Sequence, residues 1–154
     1  NMDTLDKSIL TELQNDGKLS MQDLADRVNS SSTQCWRRVR QLQEQGLILG
    51  YQAVLDSEAL GLHAMAYIHI ALKDHGEQHV KDFLHIVETN EQIIECCSIT
   101  GDHDFMLKVV ARSPAGLERF IMKRLLSTGL VRETRSNFVL RECKSRGALP
   151  TDVI

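Results

Sequence analysis

A change of period constrains this chain more than any other feature. Leu5, Ile9 and Leu13, then Leu24, Ala25 and Val28, then Cys35, Val39 and Leu42 recur at helical spacing. From His63 to Lys73 the pattern changes, and Ala64, Ala66, Ile68, Ile70 and Leu72 occupy every second position. Spacings of three and four bury a stripe on a helix, whereas a spacing of two buries one face of a strand. The chain therefore reads as a helical unit followed by a unit built on a sheet. Its 154 residues suit one ordinary domain or two small ones. Two small domains bury modest cores, so association between copies would add stability.

The helical unit has its own punctuation. Asp3 or Thr4 can cap the first helix, and Gly17 stops it. Ser20 starts the second, with Asp23 three residues on as a weaker capping box. Asn29 tolerates the left-handed conformation of a sharp turn. Ser31 caps a third helix that runs to about Gln45, and Gly46 ends it. Two helices joined by so short a turn read as a helix-turn-helix. Beyond them, residues 47–49 and 51–55 read as two short strand segments forming a small wing or a linker strand, followed by a joint with a helical turn at 57–60.

The charge on the third helix gives that reading a function. The whole chain carries a net charge of −3, and residues 1–60 hold six Lys/Arg against nine Asp/Glu. That balance argues against a basic, nonspecific nucleic-acid binder. Yet between Val28 and Gln43 stand three arginines and no acid. With Cys35, Val39 and Leu42 turned inward, Thr33, Gln34, Arg37, Arg40 and Gln41 point outward, and Trp36 and Arg38 lie on the flanks. Arg can bridge two acceptors of guanine, Gln can bridge adenine and Thr can meet thymine methyls. Ser31, Ser32 and the amides at the helix start suit phosphate. An arginine-rich face is also often merely solvated. Trp36 reads better as a half-buried packing residue than as a DNA contact, and Arg38 serves either phosphate or local structure.

The second unit alternates. After the strand at residues 63–73, Val80, Phe83, Leu84 and Val87 form a helical stripe, residues 93–100 a strand and Phe105, Leu107, Val109 and Ala111 another. Pro114 opens a helix striped by Leu117, Phe120, Ile121 and Leu125, and residues 131–143 form the last strand. The order βαββαβ is the ferredoxin-like split unit, a four-stranded antiparallel sheet with both helices on one face. The other face is left for Met106, Val110, Ile94, Val139 or their neighbours, and an exposed apolar face predicts a dimer partner. The expected division is 2–50 for the helix-turn-helix unit, 51–61 for the linker strand and joint, 62–144 for the sheet unit and 145–154 for a tail.

Between the central strands stands Gly101-Asp102-His103-Asp104. Glycine permits close backbone approach. Backbone amides there can meet the carboxylate of a small zwitterion, and an aspartate its ammonium. A plain polar β-turn explains the same residues. No catalytic set emerges: there is no Ser/His/Asp order with a nucleophile turn, no glycine-rich phosphate loop and no pair of metal histidines on one helix, since His75 sits in a loop beside Gly76. The expectation is a protein that is not an enzyme and holds no metal or cofactor. Cys35, Cys96, Cys97 and Cys143 lack C-x-x-C spacing and read as reduced, mostly buried thiols of a cytoplasmic protein. No apolar run approaches the ~20 residues needed to cross a membrane.

The segments LDKSILTELQNDGKLSMQDLADRV, STQCWRRVRQLQEQGLILGYQAVLD, LGL, SITGDHDFMLKVV and SNFVLRECK, in this order and spacing, resemble the Lrp/AsnC, or feast/famine, transcriptional regulators of prokaryotes over nearly the whole chain. The resemblance implies an α+β architecture: a winged helix-turn-helix reader of double-stranded DNA, then a βαββαβ domain for ligand binding and assembly. It implies a recognition helix from Ser32 through Gln41, including Thr33, Gln34, Arg37, Arg38 and Arg40. It implies an amino-acid effector held by Gly101, Asp102, His103 and Asp104, with contacts from Thr134 and Ser136, and homodimers that build tetramers or octamers. One position departs: Ser30 stands where the family's turn usually carries an aliphatic residue. Two other classes compete. An amino-acid-sensing regulatory subunit acting without DNA needs only the second unit. An RNA-binding winged-helix protein would want a basic, aromatic-rich sheet surface, which is missing.

Overall fold

The computed structural model describes residues 2–152. It divides into two compact units: the N-terminal chain to Val54 with the chain from Cys143 onward, and Leu55–Glu142.

The first unit contains α1 (Thr4–Asn15), α2 (Met21–Val28) and α3 (Ser32–Glu44). Each starts on a side-chain oxygen that accepts a backbone N–H three residues on: Asp3 from Asp6, Ser20 from Asp23 and Ser31 from Gln34. These caps satisfy amides that a helix start leaves unpaired. Asn29 closes α2 at φ +54°, the left-handed conformation expected of it. The core is Ile9, Leu13, Leu24, Ala25, Cys35, Val39 and Leu42, with Leu5 and Val28 packed against it.

The strand segments expected within residues 47–55 do not form. The amides of Leu47 and Ile48 bond back to the Leu42 carbonyl, and Ile48 packs on the helical core. The rest has no neighbouring strand among the described residues to pair with, and a ladder needs one. Leu49, Val54 and Leu55 lie exposed. Residues 57–60 make hydrogen-bonded turns, short of a helix. The tail does more than trail: the Gln14 amide donates to the Leu149 carbonyl at 3.1 Å and accepts from its N–H at 2.6 Å. Val153 and Ile154 of that tail, like Asn1, lie outside the described residues.

The second unit follows the expected order: β1 (Ala64–Leu72), α4 (Glu77–Thr89), β2 (Ile93–Ser98), β3 (Phe105–Ala111), α5 (Pro114–Phe120) and β4 (Val131–Phe138). Helix α5 runs on through a π-helical turn (Ile121–Leu125) and a 3-10 turn (Leu126–Thr128). The sheet is antiparallel in the order β2-β3-β1-β4. Strand β4 stops at Phe138 instead of reaching Cys143, because its partner β1 begins at Ala64 and the pairing runs out.

Directly paired residues share a face. Ala64, Ala66, Ile68, Ile70 and Leu72 of β1 and Leu107, Val109 and Ala111 of β3 make one face of the sheet, the core, with Phe83, Leu117, Phe120 and Leu125 from the helical segments. The other face was expected to be apolar and is mixed. Met65, Tyr67, Met106 and Val110 share it with His69, Lys108, Glu133 and Arg135. Only Cys35 is a buried thiol; Cys96 is half-buried, and Cys97 and Cys143 are exposed. Adjacent residues on the edge strand β2 point to opposite faces, so both Cys96 and Cys97 cannot enter the core.

Candidate nucleic-acid interface and effector turn

Helix α3 sorts its side chains by angle. Thr33, Arg37, Arg40 and Gln41 are exposed opposite the buried stripe. Arg37 makes no hydrogen bond or ion pair among the described residues, so its guanidinium is available. Ser32 and Gln34 are half-buried at the helix start. The Ser32 hydroxyl donates to Gln22 Oε1, and the Ser30 hydroxyl donates to Gln34 Oε1, each at 2.9 Å. Ser30 thus ties down Gln34.

Arg38 lies on the flank and turns toward the body. One of its terminal nitrogens reaches Asp3 at 2.6 Å and Asp6 at 3.0 Å, and its side chain keeps 20% of its exposure. Of the two roles open to Arg38, this geometry serves local structure. Asp3 is held below the ordinary carboxylate range, first by the Asp6 N–H it caps and then by the Arg38 guanidinium. Trp36 departs from expectation: it is 53% exposed and not half-buried against the core. On the 100° helical wheel it sits beyond the reach of the Cys35–Val39–Leu42 stripe. The Arg40 guanidinium carbon lies over its ring, 5.3 Å from the centroid. Arg40 Nε donates to Glu44 at 3.1 Å.

The second candidate is the turn between β2 and β3. Gly101 has φ +107°, which a side chain would strain. Asp104 is built into the sheet. Its N–H donates to the Ile70 carbonyl at 2.8 Å, and its carbonyl accepts from Ile99. Its carboxylate accepts the Leu72 N–H at 2.8 Å and contacts His75 Nε2 at 3.0 Å. The Leu72 N–H first, and His75 after it, hold the Asp104 carboxyl below its ordinary value. Asp102 is exposed and has no such partner among the described residues. His103 turns away from the loop onto the mixed face of the sheet. It is 9% exposed, 3.3 Å from Glu133, with its ring edge-on to His69 at 5.6 Å. His69 Nδ1 is buried there without a hydrogen-bond partner among the described residues.

The four turn residues are thus together, but Thr134 and Ser136 are not with them in one chain. Pairing with Ile70 and Ile68 sets those two on the helix-covered side of β4, half-buried. Glu133, on the opposite side, touches the turn instead. Sequence reasoning missed Glu133, His69, His75 and the Leu72 amide. Alternation along β4 separates Glu133 from Thr134, but which one meets the turn depends on strand register, which periodicity does not carry. His75 and His79 bond apart, to Asp104 and to the Leu130 carbonyl.

Comparison with known proteins bears on both places. Residues 65–149 match the Lrp/AsnC ligand binding domain, and residues 2–48 match a winged helix-turn-helix DNA-binding domain. The chain is 35% identical to the leucine-responsive regulatory protein of Rhizobium meliloti over 143 residues, covering 93% of this chain and 92% of that one. It is 34% identical to the protein of that name from Escherichia coli K12, covering 96% and 90%. A crystal structure of a Neisseria meningitidis transcriptional regulator in complex with L-Met superposes with a TM-score of 0.95 at 30% identity, over the full length of both chains. An AsnC-family transcriptional regulator from Agrobacterium tumefaciens superposes at 0.92 with 32% identity, over 99% of each.

Proposed function

The chain belongs to the Lrp/AsnC family of DNA-binding transcriptional regulators, and on that premise we propose that it reads duplex DNA as a homodimer or larger assembly under the control of an amino acid. The observation that carries this reading is the outward face of α3, where Thr33, Arg37, Arg40 and Gln41 stand clear of the core. Two-fold assembly sets a helix in each of two major grooves and favours pseudo-palindromic sites, with half-sites a helical turn or a multiple apart. Arg38 supports α3 from behind. Ser32 and Gln34, at its start, lie where a phosphate would approach. The site of action is the cytoplasm, where the DNA lies, and no helix among the described residues is long and apolar enough to cross a membrane.

The amino acid sits at the 101–104 turn. Backbone amides meet its carboxylate. Asp102, the turn carboxylate without a partner among the described residues, meets its ammonium. Thr134 and Ser136 of a neighbouring copy complete the site, since within one chain they lie on the far side of β4. The L-Met carried by the Neisseria regulator favours this ligand class. The ligand acts by binding one assembly more tightly than another. His103 and Asp104 give the turn its route to that equilibrium, through His69 and Glu133 on one side and Leu72 and His75 on the other.

Selection of genomic fragments by the purified protein, at one salt concentration and with or without pooled amino acids, tests both halves. Salt is fixed because phosphate-driven affinity falls steeply with it. A two-fold-symmetric motif is expected, with enrichment that changes when amino acids are present. Absence of a motif in both conditions overturns the DNA reading. A motif indifferent to all amino acids overturns the effector reading.

A further inference from the structure

We propose that Trp36 and Glu44 hold Arg40 as a preset guanine reader, so that Arg40 rather than Arg37 carries base readout from α3; this rests on the reading of α3 as the DNA-contacting helix. Residues 36, 40 and 44 are four apart and form one row along the helix. An indole left 53% exposed on this helix calls for an explanation that a scattered surface leucine does not. Its ring takes the Arg40 guanidinium, whose central carbon lies 5.3 Å from the centroid. At the other end of the row, Glu44 accepts from Arg40 Nε at 3.1 Å.

The consequence lies in which donors remain. With Nε engaged and one face of the guanidinium over indole, Nη1 and Nη2 are left as a two-pronged edge. Neither makes a hydrogen bond among the described residues. Two parallel donors match the O6 and N7 acceptors that guanine presents in the major groove. Arg40 loses rotamer freedom before it meets DNA rather than on binding, which removes part of the cost of association. Glu44 also offsets the charge of Arg40, so the side chain is suited to a directed bidentate contact more than to a diffuse pull on phosphate. Arg37 has neither support, and suits phosphate.

The test uses the full-length protein and the motif-bearing duplex it selects. Each guanine is replaced in turn by 7-deazaguanine, which lacks the N7 acceptor. Wild type loses roughly fivefold or more in affinity at one guanine per half-site, the lower end of the value of a bidentate base contact. Arg40→Ala is insensitive to that replacement. Trp36→Ala weakens the motif roughly two- to fivefold, the size of an exposed cation–π contact, and leaves affinity for random duplex unchanged. That loss disappears in the Arg40→Ala background, and Trp36→Phe restores most of it. Glu44→Gln, which keeps the fold if Trp36→Ala does not, shrinks the deazaguanine penalty.

The inference is overturned if no guanine depends on Arg40, or if Trp36→Ala costs as much without Arg40 as with it. A wild type that selects a motif which Arg40→Ala binds equally well overturns it while leaving α3 as the reader. A wild type that selects no motif overturns the functional reading beneath it.

Discussion

Helix α3 and the 101–104 turn are both candidate contact sites, yet they are attached to the fold in opposite ways. The outward residues of α3 hang on a helix whose stability comes from its other face, through Cys35, Val39 and Leu42. Removing Arg37 or Gln41 leaves that stripe untouched. The turn has no such separation. Asp104 supplies a backbone bond to Ile70, a carboxylate for the Leu72 N–H and a contact to His75, while His103 is packed onto the sheet against His69 and Glu133. A change in the turn is therefore felt in the sheet. That is a liability in a surface loop, but it also means that a ligand binding one arrangement of the turn more tightly than another would shift the sheet with it.

The strongest way to break this comparison is Asp104→Ala. It leaves the N–H of Leu72, a residue only 1% exposed, without its acceptor. An orphaned buried donor costs about 1–3 kcal/mol, readable as a lower urea midpoint for the sheet unit. Unchanged stability would mean that the turn is as detachable as the face of α3. Asn29→Ala tests the other region where its backbone is committed. At φ +54° an alanine costs about 1 kcal/mol against asparagine, and Asn29→Gly does not. Asp104→Asn gives a subtler signal in acid. A carboxyl held low when folded adds stability that is complete above its unfolded value, about 3.9, and is lost as pH falls through its lower folded value. Wild type should lose that part below about pH 4, whereas the asparagine variant starts less stable at neutral pH and shows a shallower decline in acid unfolding.

The same contrast explains how much could be read in advance. Hydrophobic period placed all three helices of the first unit, its seven core residues and the βαββαβ order, because each of those is decided within a few residues of chain. The caps at Asp3, Ser20 and Ser31 and the left-handed Asn29 were legible for the same reason. What failed was non-local. The strand segments within 47–55 have the right composition and no neighbouring strand among the described residues. Trp36 has the size of a core residue at an angle the core does not reach. Glu133 and His69 at the turn follow from the register of β1 on β4, and the Gln14–Leu149 clamp joins residues 135 apart in sequence. Of the candidate DNA-contacting set, helical angle alone located the exposed Thr33, Arg37, Arg40 and Gln41, but it could not show that Asp3 and Asp6 would occupy Arg38.

Arg37 and Arg38 are adjacent, and they reduce the comparison to one pair of side chains. Arg37→Ala should leave stability within about 0.5 kcal/mol of wild type, as for surface positions without partners. Arg38→Ala should fall outside that band, because it strips Asp3 and Asp6 of the cation between them. On DNA the order reverses. Arg37→Ala weakens all duplexes alike and lowers the slope of log affinity against log salt by about one, as the loss of one phosphate contact does. In Arg38→Ala the slope stays where it was. Salt titrations of both variants, paired with urea melts, separate the two roles in one experiment. A salt slope that drops for Arg38→Ala and stays for Arg37→Ala would exchange their assignments: the arginine facing solvent would be idle, and the one paired with α1 would have to leave Asp3 and Asp6 to reach the duplex.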